Sequence, residues 1–205
     1  MSMGMHISLV ARLYGKPAKK ALEDESLVVQ VYEPLRRAVV AEVRSANSGR
    51  ASLDALLPRL DNMKYADSLK SKNTEAFKRF CRLYRGRWTG LRTSYLDAVP
   101  AQSVASLGGH PFSGKFHFCA QTTGGALEYV YVHASESGDE ELAALAELLS
   151  VVGESRHRCE RGQVTLLDLR TGTLLRPPKS FILLRKRLTS VLAIGSLIEQ
   201  AYSKR

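Results

Sequence analysis

Residues 115–134 of the chain, KFHFCAQTTGGALEYVYVHA, contain two apolar runs separated by Thr-Thr-Gly-Gly. Residue types favoured in strands occur in both runs, namely two phenylalanines in the first and the sequence Tyr-Val-Tyr-Val in the second. The Gly-Gly pair supplies backbone that can adopt positive φ, as a tight hairpin turn requires. The stretch therefore predicts a β-hairpin, with one strand at 115–121 and the other at 126–134.

A helix, a second hairpin and a long final helix are predicted after this hairpin. Ser137 and Glu140 have the spacing of a capping box that opens a helix. The runs at 164–169 and 173–176 flank Arg-Thr-Gly, a turn signal. From Ser180 onward, apolar and small residues recur at alternating spacings of three and four, which predicts a helix: Phe181, Leu184, Leu188, Val191, Gly195, Ile198 and Tyr202.

Upstream of residue 108 the chain reads mainly as helices. Pro34 suits the first turn of a helix with an apolar stripe, and Ser52 caps a short segment at 53–60. A clearer helix is predicted after a cap at Asn73 or Thr74, with a stop near Gly86. Its apolar positions follow the spacing i, i+3, i+4, i+7: Phe77, Phe80, Cys81 and Tyr84.

Together these segments predict an α+β fold. A helical N-terminal half precedes a small mixed sheet, built as hairpin, helix and hairpin, which the final helix packs against. Gly108, Gly109 and Pro111 mark the boundary between a mainly helical basic region at 1–107 and an α/β region at 108–205. The alternative is one continuous domain.

The first 22 residues contain four basic residues and no acid, which suits an organellar presequence. The alternation of Ile7, Leu9 and Ala11 with more polar neighbours instead suits a strand. Three widely spaced cysteines without a CxxC motif favour a reducing compartment. We therefore expect an intracellular protein in the cytoplasm or nucleus, with an organelle as the alternative. The longest apolar run, 188–198, is too short to span a bilayer, so we expect no membrane partner.

Net charge is the most unusual property of this 205-residue chain, at +10. Nine basic residues lie between Lys64 and Arg92, opposed only by Asp67 and Glu75, so this stretch carries nine minus two, or +7. Such clustering is typical of surfaces that bind nucleic acid, and Trp88 adds a potential stacking group. The candidate contacts are Lys72, Lys78, Arg79, Arg82, Arg85, Arg87 and Arg92. The alternative is a solvated face neutralised by acids at 136–147.

Residues 110–176 resemble the core of RecB-like PD-(D/E)XK nucleases. Gly114-Lys115-Phe116-His117 is similar to the Gly-Lys-x-Asp of that family, and Tyr129 to Ala134 follows a turn where Asp/Glu-x-Lys is expected. The resemblance implies a helix at 139–152 and a further strand at 164–169. In that family, acidic oxygens hold a divalent metal and a Lys orients the attacking water.

The matched positions depart from this chemistry. His117 stands in place of the first acid, Tyr131 in place of the second, and His133 in place of the Lys. Imidazole and phenol do not form a hard, oxygen-rich Mg²⁺ site. We therefore expect no catalytic residues, no metal and no cofactor. The alternative is a divergent metal-dependent nuclease that uses Asp168 and Arg170, although their Asp-x-Arg-Thr-Gly sequence is also explained by a turn.

Two His-x-Cys pairs raise the further alternative of a zinc set, because residues i and i+2 on a strand share one face. These are His117 with Cys119 and His157 with Cys159. No Walker A, GxGxxG or GxSxG motif is present. The sequence thus predicts a non-catalytic nucleic-acid-binding protein, part of a larger complex, on a degenerate nuclease-like scaffold. A third hypothesis is an assembly subunit that binds RNA or an acidic protein and docks a neighbour through its final helix.

Overall fold

The computed structural model describes residues 5–17, 20–21, 35–44, 67–88, 92–94, 104–122 and 124–202, which form an α+β fold. In chain order, the described part of residues 5–113 contains β1 (Met5–His6), α1 (Ile7–Gly15), α2 (35–44), α3 (Asp67–Arg87), β2 (Arg92–Ser94), β3 (Val104–Leu107) and β4 (His110–Ser113). The remainder comprises β5 (Phe118–Gln121), β6 (Leu127–His133), α4 (Asp139–Val152), β7 (Val164–Asp168), β8 (Thr173–Leu175) and α5 (Ile182–Tyr202).

The main sheet has five strands in the order β2-β5-β6-β7-β8. Strands β5 and β6 form the predicted antiparallel hairpin, and β7 and β8 form the second one. Between them, α4 is the crossover that brings β7 parallel to β6, with His133 opposite Asp168 at the end of the ladder. A smaller sheet, in the order β1-β4-β3, lies beside the main one.

Strand β6 is buried on both faces, which explains its nearly continuous apolar sequence. Val130 and Val132 lie in a core cluster with α2 and α3. Tyr129 and Tyr131 point to the opposite face, because side chains alternate along a strand, and pack with α1 and α4. Each of the two clusters contains residues from both sides of residue 108, so that boundary does not separate two cores within the described residues.

Aromatic side chains fix α3 to the sheet. The predicted stripe of Phe77, Phe80 and Tyr84 is buried, as sequence periodicity indicates. Its rings stack along the helix and meet Phe118 of β5 edge to face, with 5.2 Å between the ring centroids of Trp88 and Phe118. Such pairs stabilise by about 1 kcal/mol beyond the area they bury.

Three expectations about these elements are wrong. α3 begins at Asp67 rather than at a cap near Asn73, and Asn73 is a buried residue inside the helix. The predicted capping box at Ser137 is absent, because α4 follows Gly138 without a side-chain cap and the Ser137 hydroxyl lies 3.0 Å from His133 Nε2. Gly108 and Gly109, which were predicted to mark a boundary, both have positive φ and form the turn of the β3–β4 hairpin.

The third concerns the N-terminus, where the alternation of Ile7, Leu9 and Ala11 suited a strand. These residues form α1 instead. Ile7, Val10 and Ala11 are buried at i, i+3 and i+4, so the helix packs one apolar side against α4 and α5 and leaves Leu9 only partly buried. The His6 side chain caps it by accepting a hydrogen bond from the Ser8 amide. The short segment at 53–60 and the basic residue Lys64 lie outside the described residues.

One carboxylate ties the end of α3 to the sheet. Glu128 of β6 is buried and accepts hydrogen bonds from the Trp88 indole at 3.0 Å and the Thr165 hydroxyl at 2.7 Å. It also pairs with Arg87 of α3 at 3.0 Å and with Arg176 beyond β8 at 2.8 Å. Burial alone would raise the pKa of Glu128, but hydrogen bonds from Arg87, Thr165 and Trp88 outweigh it and hold the pKa below its usual 4.5.

We expect Glu128→Gln to lower the free energy of unfolding by about 3 kcal/mol, because the amide replaces one acceptor oxygen with a donor among buried donors and removes the negative charge that pairs with two guanidinium groups. Since the folded pKa is depressed, Glu128 stabilises above the unfolded value and that stabilisation is lost as the pH falls through the folded pKa. Urea denaturation at pH 7 and below pH 4.5 measures both effects. The exposed Glu140→Gln is the matched control and should change stability by less than about 0.5 kcal/mol; equal losses in the two variants would contradict the role of Glu128.

Candidate functional site

The exposed face of α3 carries a row of cations. Lys78, Arg82 and Arg85 are exposed and recur at i, i+4 and i+7, so they lie on one side of the helix. They span about 10 Å along the helix axis, at 1.5 Å per residue. The opposite side of α3 is the buried aromatic stripe, so the row points away from the protein.

Two of the predicted contact residues hold the fold together instead. The Arg79 guanidinium donates to the Leu169 carbonyl at 2.6 Å and to the Arg170 carbonyl, at the turn after β7. Gly172 in that turn has a φ of +78°, and a Cβ there would meet the Arg79 side chain. Arg87 pairs with the buried Glu128, as described above. Both guanidinium groups therefore make contacts within the protein, whereas the sequence predicted contacts with nucleic acid.

Two lysines of the set form exposed ion pairs. Lys72 lies 3.7 Å from Glu136 and Lys78 lies 3.0 Å from Glu75. The expectation that acids at 136–147 neutralise the basic helix thus holds only for Lys72 among the pairs of the described residues, since Glu141 pairs with Lys16 and Glu147 with arginines elsewhere. Exposed pairs of this kind contribute about 0–1 kcal/mol, so a phosphate can replace the carboxylate at little cost.

Trp88 does not offer a stacking surface, contrary to the sequence expectation. Its side chain is 0% exposed, packed on Phe118 with its indole nitrogen bonded to Glu128. Arg92 lies on the edge strand β2, with its backbone paired opposite Gln121. The structure therefore concentrates the predicted interface on Lys78, Arg82 and Arg85, with Lys72 before them on the same helix.

His117, Tyr131 and His133, the positions matched to nuclease residues, lie on one face of the main sheet, and all three are buried. The rings of His117 and Tyr131 meet edge to face with centroids 4.8 Å apart. The Val132 amide donates to His117 Nδ1 at 2.9 Å, which leaves the proton of the neutral ring on Nε2. Burial, reinforced by the positive charges of Arg36 and Lys115, holds the pKa of His117 well below 6.5.

His133 lies at the end of β6, beside two hydroxyls. Its Nε2 is 3.1 Å from Ser135 Oγ and 3.0 Å from Ser137 Oγ. Burial lowers the pKa of His133 to about 4, although the carboxylate of Asp168 on the neighbouring strand opposes this shift. The pKa of His6 is lowered in the same way, to about 4, by burial and then by Arg36. These imidazoles are neutral near pH 7 and act as packed polar groups.

Asp168, the acid of the alternative metal site, organises a turn. Within the part of the chain that the structure describes, no three His, Cys, Asp or Glu side chains are arranged to hold a metal ion. The Asp168 carboxylate accepts from the Arg170 amide at 3.1 Å and from the Thr171 hydroxyl at 2.7 Å, so it organises the β7–β8 turn. That role accounts for the Asp-x-Arg-Thr-Gly sequence without catalysis.

The residues of the two His-x-Cys pairs pack in or against the hydrophobic core. Cys119 and Cys159 are buried in the cluster between the sheet and α4, and burial raises the pKa of each thiol to about 11. Both thiols therefore stay protonated at pH 7 in this packing. His157 packs its ring against Tyr129, with 5.0 Å between centroids, and against Phe116.

An open pocket of about 270 Å³ lies between α4 and the β7–β8 turn, and sequence reasoning missed it. Asp139, Asp168 and Thr171 supply polar atoms, while Leu142 and Leu175 are among its apolar lining residues. The pocket lies beside the carboxyl end of β7, the edge of a parallel pair where α/β proteins place ligands. No short sequence motif predicts the pocket, because its walls come from two stretches far apart in the chain, 139–146 and 168–178.

Comparison of the chain with protein-family models, with curated proteins and with solved structures finds no match. Among the described residues, no helix combines the length and the apolar content needed to cross a membrane.

We expect the free energy of unfolding to fall as the pH is lowered from 7.5 to 5, because histidines buried in neutral form bind protons only after unfolding. A shift of the His133 pKa from 6.5 to about 4 corresponds to a loss of about 2 kcal/mol over this range. Urea denaturation of the wild type and of His133→Gln at the two pH values measures it. The variant should lose about 2 kcal/mol less between pH 7.5 and pH 5; identical pH dependence in both proteins would exclude a buried neutral His133.

Proposed function

We propose that this protein is a non-catalytic nucleic-acid-binding protein whose α3 helix contacts phosphates with Lys78, Arg82 and Arg85. One observation carries the proposal: these cations form a row on the solvent side of a helix whose other side is anchored by buried aromatic rings. Their spacing of about 4.5–6 Å along the axis lets each meet a separate phosphate of a strand. A row of cations meets phosphates and does not by itself read a base edge, so binding is driven by the backbone and is independent of sequence.

The anchoring of α3 matters for this binding. Arg79 and Arg87 hold α3 to the β7–β8 turn and to Glu128, so the row is presented on a rigid surface. A surface ordered before binding loses less conformational entropy when its ligand arrives. The two structural arginines thus support the interface indirectly, and the excess charge of the chain adds to the attraction.

The proposal includes a degenerate nuclease-like scaffold at residues 110–176. The order β5, β6, α4, β7 is the order expected from the resemblance to RecB-like PD-(D/E)XK nucleases. His117, Tyr131 and His133 are buried and lack a set of acidic oxygens, which supports the loss of catalysis. The three cysteines are buried and form no disulfide, which suits a reducing, intracellular compartment, and we propose a role within a larger nucleic-acid complex.

The double variant Arg82→Glu/Arg85→Glu should weaken binding by at least about tenfold, for fluorescein-labelled single-stranded DNA, duplex DNA and RNA alike. Each lost phosphate contact should also lower the slope of log K against log salt by about 0.7–0.9. Fluorescence anisotropy between 50 and 200 mM NaCl gives both numbers, and the three probes reveal any preference between DNA and RNA.

Lys179→Glu/Arg158→Glu is the matched control for this experiment. It makes the same change of charge at exposed residues near α4, on the other face of the main sheet, and should lower the salt slope by less than half as much as the α3 variant does. Arg79 is left intact because its loss would remove the hydrogen bonds that join α3 to the β7–β8 turn. Equal weakening in both double variants, or no binding by the wild type at 50 mM NaCl, would overturn the proposal.

We expect no digestion of 5′-labelled DNA or RNA in Mg²⁺ or Mn²⁺, because the described residues near Asp168 contain no set of metal ligands. Denaturing gels after prolonged incubation provide the measurement. Metal-dependent cleavage that disappears in Asp168→Ala would instead establish the alternative of a divergent nuclease. Since Asp168 organises a turn, that variant is compared with wild type by thermal melting first.

A further inference from the structure

The pocket between α4 and the β7–β8 turn takes no part in the proposed nucleic-acid interface, because α4 and α3 pack on opposite faces of the main sheet. One of its walls is a single side of α4, formed by residues spaced at i, i+3, i+4 and i+7: Asp139, Leu142, Ala143 and Ala146. The facing wall comes from residues 168–178, in which Leu175 and Pro178 are apolar. A volume of about 270 Å³ is at the small end of the range for ligand pockets, so the pocket suits a compact molecule.

Asp168 brings a buried carboxylate to this pocket without a cation to balance it. The residue is 3% exposed, and its two hydrogen bonds come from neutral donors, the Arg170 amide and the Thr171 hydroxyl. It belongs to none of the ion pairs among the described residues. His133, its partner in the β6–β7 register, supplies no charge at pH 7, because burial lowers the pKa of its ring to about 4. Buried charges in proteins are usually paired, and a carboxylate can accept about four hydrogen bonds, so Asp168 has capacity for a cationic donor.

The other charged groups of the pocket do not neutralise this carboxylate. Asp139 adds a second one at the exposed start of α4, and it too is outside the ion pairs of the described residues. The Arg176 guanidinium is already paired with Glu128 at 2.8 Å and bonded to two backbone carbonyls. The α4 N-terminus carries about half a positive charge, which the three acids of its first turn exceed. The pocket therefore favours a positively charged ligand.

We propose that this pocket binds a small organic ammonium ion, whose charged group lies against Asp168 and Asp139 and whose apolar body lies between Leu142 and Leu175. An ammonium group offers several N–H donors to the unused acceptor positions of the carboxylates, and such charge-assisted hydrogen bonds are strong. The apolar body removes the aliphatic walls from water. A bare divalent cation is a poorer match, because it requires about six oxygen ligands or more and no three metal-ligating side chains meet among the described residues.

Three ligands of nearly the same shape and different charge test the proposal: benzylamine, benzyl alcohol and benzoate. Benzylamine should bind the full chain with a Kd of about 1 mM, as expected for a ligand of its size. The neutral alcohol and the anionic benzoate should bind at least about fivefold more weakly, because neither supplies a positive charge to Asp168. Titrations followed by protein amide NMR measure the three affinities. Equal affinities, or no saturation by benzylamine at about 10 mM, would overturn the proposal.

Asp139→Asn and Glu140→Gln form a matched pair of variants. Both remove one exposed charge from the first turn of α4, but only Asp139 lines the pocket. Asp139→Asn should weaken benzylamine binding at least about threefold, whereas Glu140→Gln should change it less than about 1.5-fold. Equal effects would mean that benzylamine responds only to the overall charge of the helix end, which contradicts a site in the pocket.

Two further variants act inside the pocket. Asp168→Asn retains an acceptor oxygen for the turn but removes the buried charge, and it should weaken benzylamine binding at least about tenfold. Ala143→Leu fills space at a partly exposed position of the α4 wall, and it should weaken the binding of benzylamine by a similar factor of about ten. Thermal melting shows whether each variant is folded, and Ala143→Leu decides the matter if Asp168→Asn is not. Unchanged benzylamine affinity in a folded Ala143→Leu would exclude this pocket.

The proposal goes beyond nucleic-acid binding, and the two can fail separately. Arg82→Glu/Arg85→Glu changes the other face of the main sheet, so it should bind benzylamine within about twofold of the wild type while its affinity for DNA falls. Loss of benzylamine binding in that variant would overturn a separate pocket. A wild type that binds benzylamine but no DNA would support the pocket and overturn the nucleic-acid interface.

Discussion

The burial of β6 on both faces is the constraint from which the rest of the structure follows. Because β6 pairs parallel with β7, the connection between them must cross one face of the sheet, and α4 is that crossover. The other face is left for α2 and α3. α3 can therefore bury only one side. Some of its many basic residues bind groups of the sheet, and the others are exposed to solvent.

Buried polar groups of the sheet determine which basic residues of α3 make contacts within the protein. Glu128 enters the core on β6 and needs donors, and the end of α3 supplies Arg87 and Trp88. The carbonyls at the end of β7 need donors, and Arg79 supplies them. What remains exposed is a shorter row of cations than the sequence contains. On the far side of the sheet, Glu147 draws in Arg161 and Arg185 in the same way, which fixes the start of α5.

Much of the architecture follows from local pattern. The hairpin around Gly124 and Gly125, α4 with its buried leucines, and the hairpin around Gly172 appear where their residues predict them. Ends were predicted less well: α3 extends a full turn and more before Asn73, because tertiary burial outweighs the capping preference of Asn and Thr. α1 became a helix because periods of two and of three to four both fit its short apolar sequence.

By itself, the sequence determined the α+β class, the two hairpins, the apolar stripes of α3 and α5 and the concentration of positive charge, since these depend on residues close together in the chain. Only the tertiary structure decided which cations are exposed, that Trp88 is buried, and that His117, Tyr131 and His133 are packed into the core. Those outcomes depend on contacts between segments far apart in the chain, such as Trp88 with Glu128 and Arg79 with Leu169. The donor that pairs with a buried carboxylate or carbonyl is the one that lies nearby in the folded structure, and local sequence patterns do not show which donor that is.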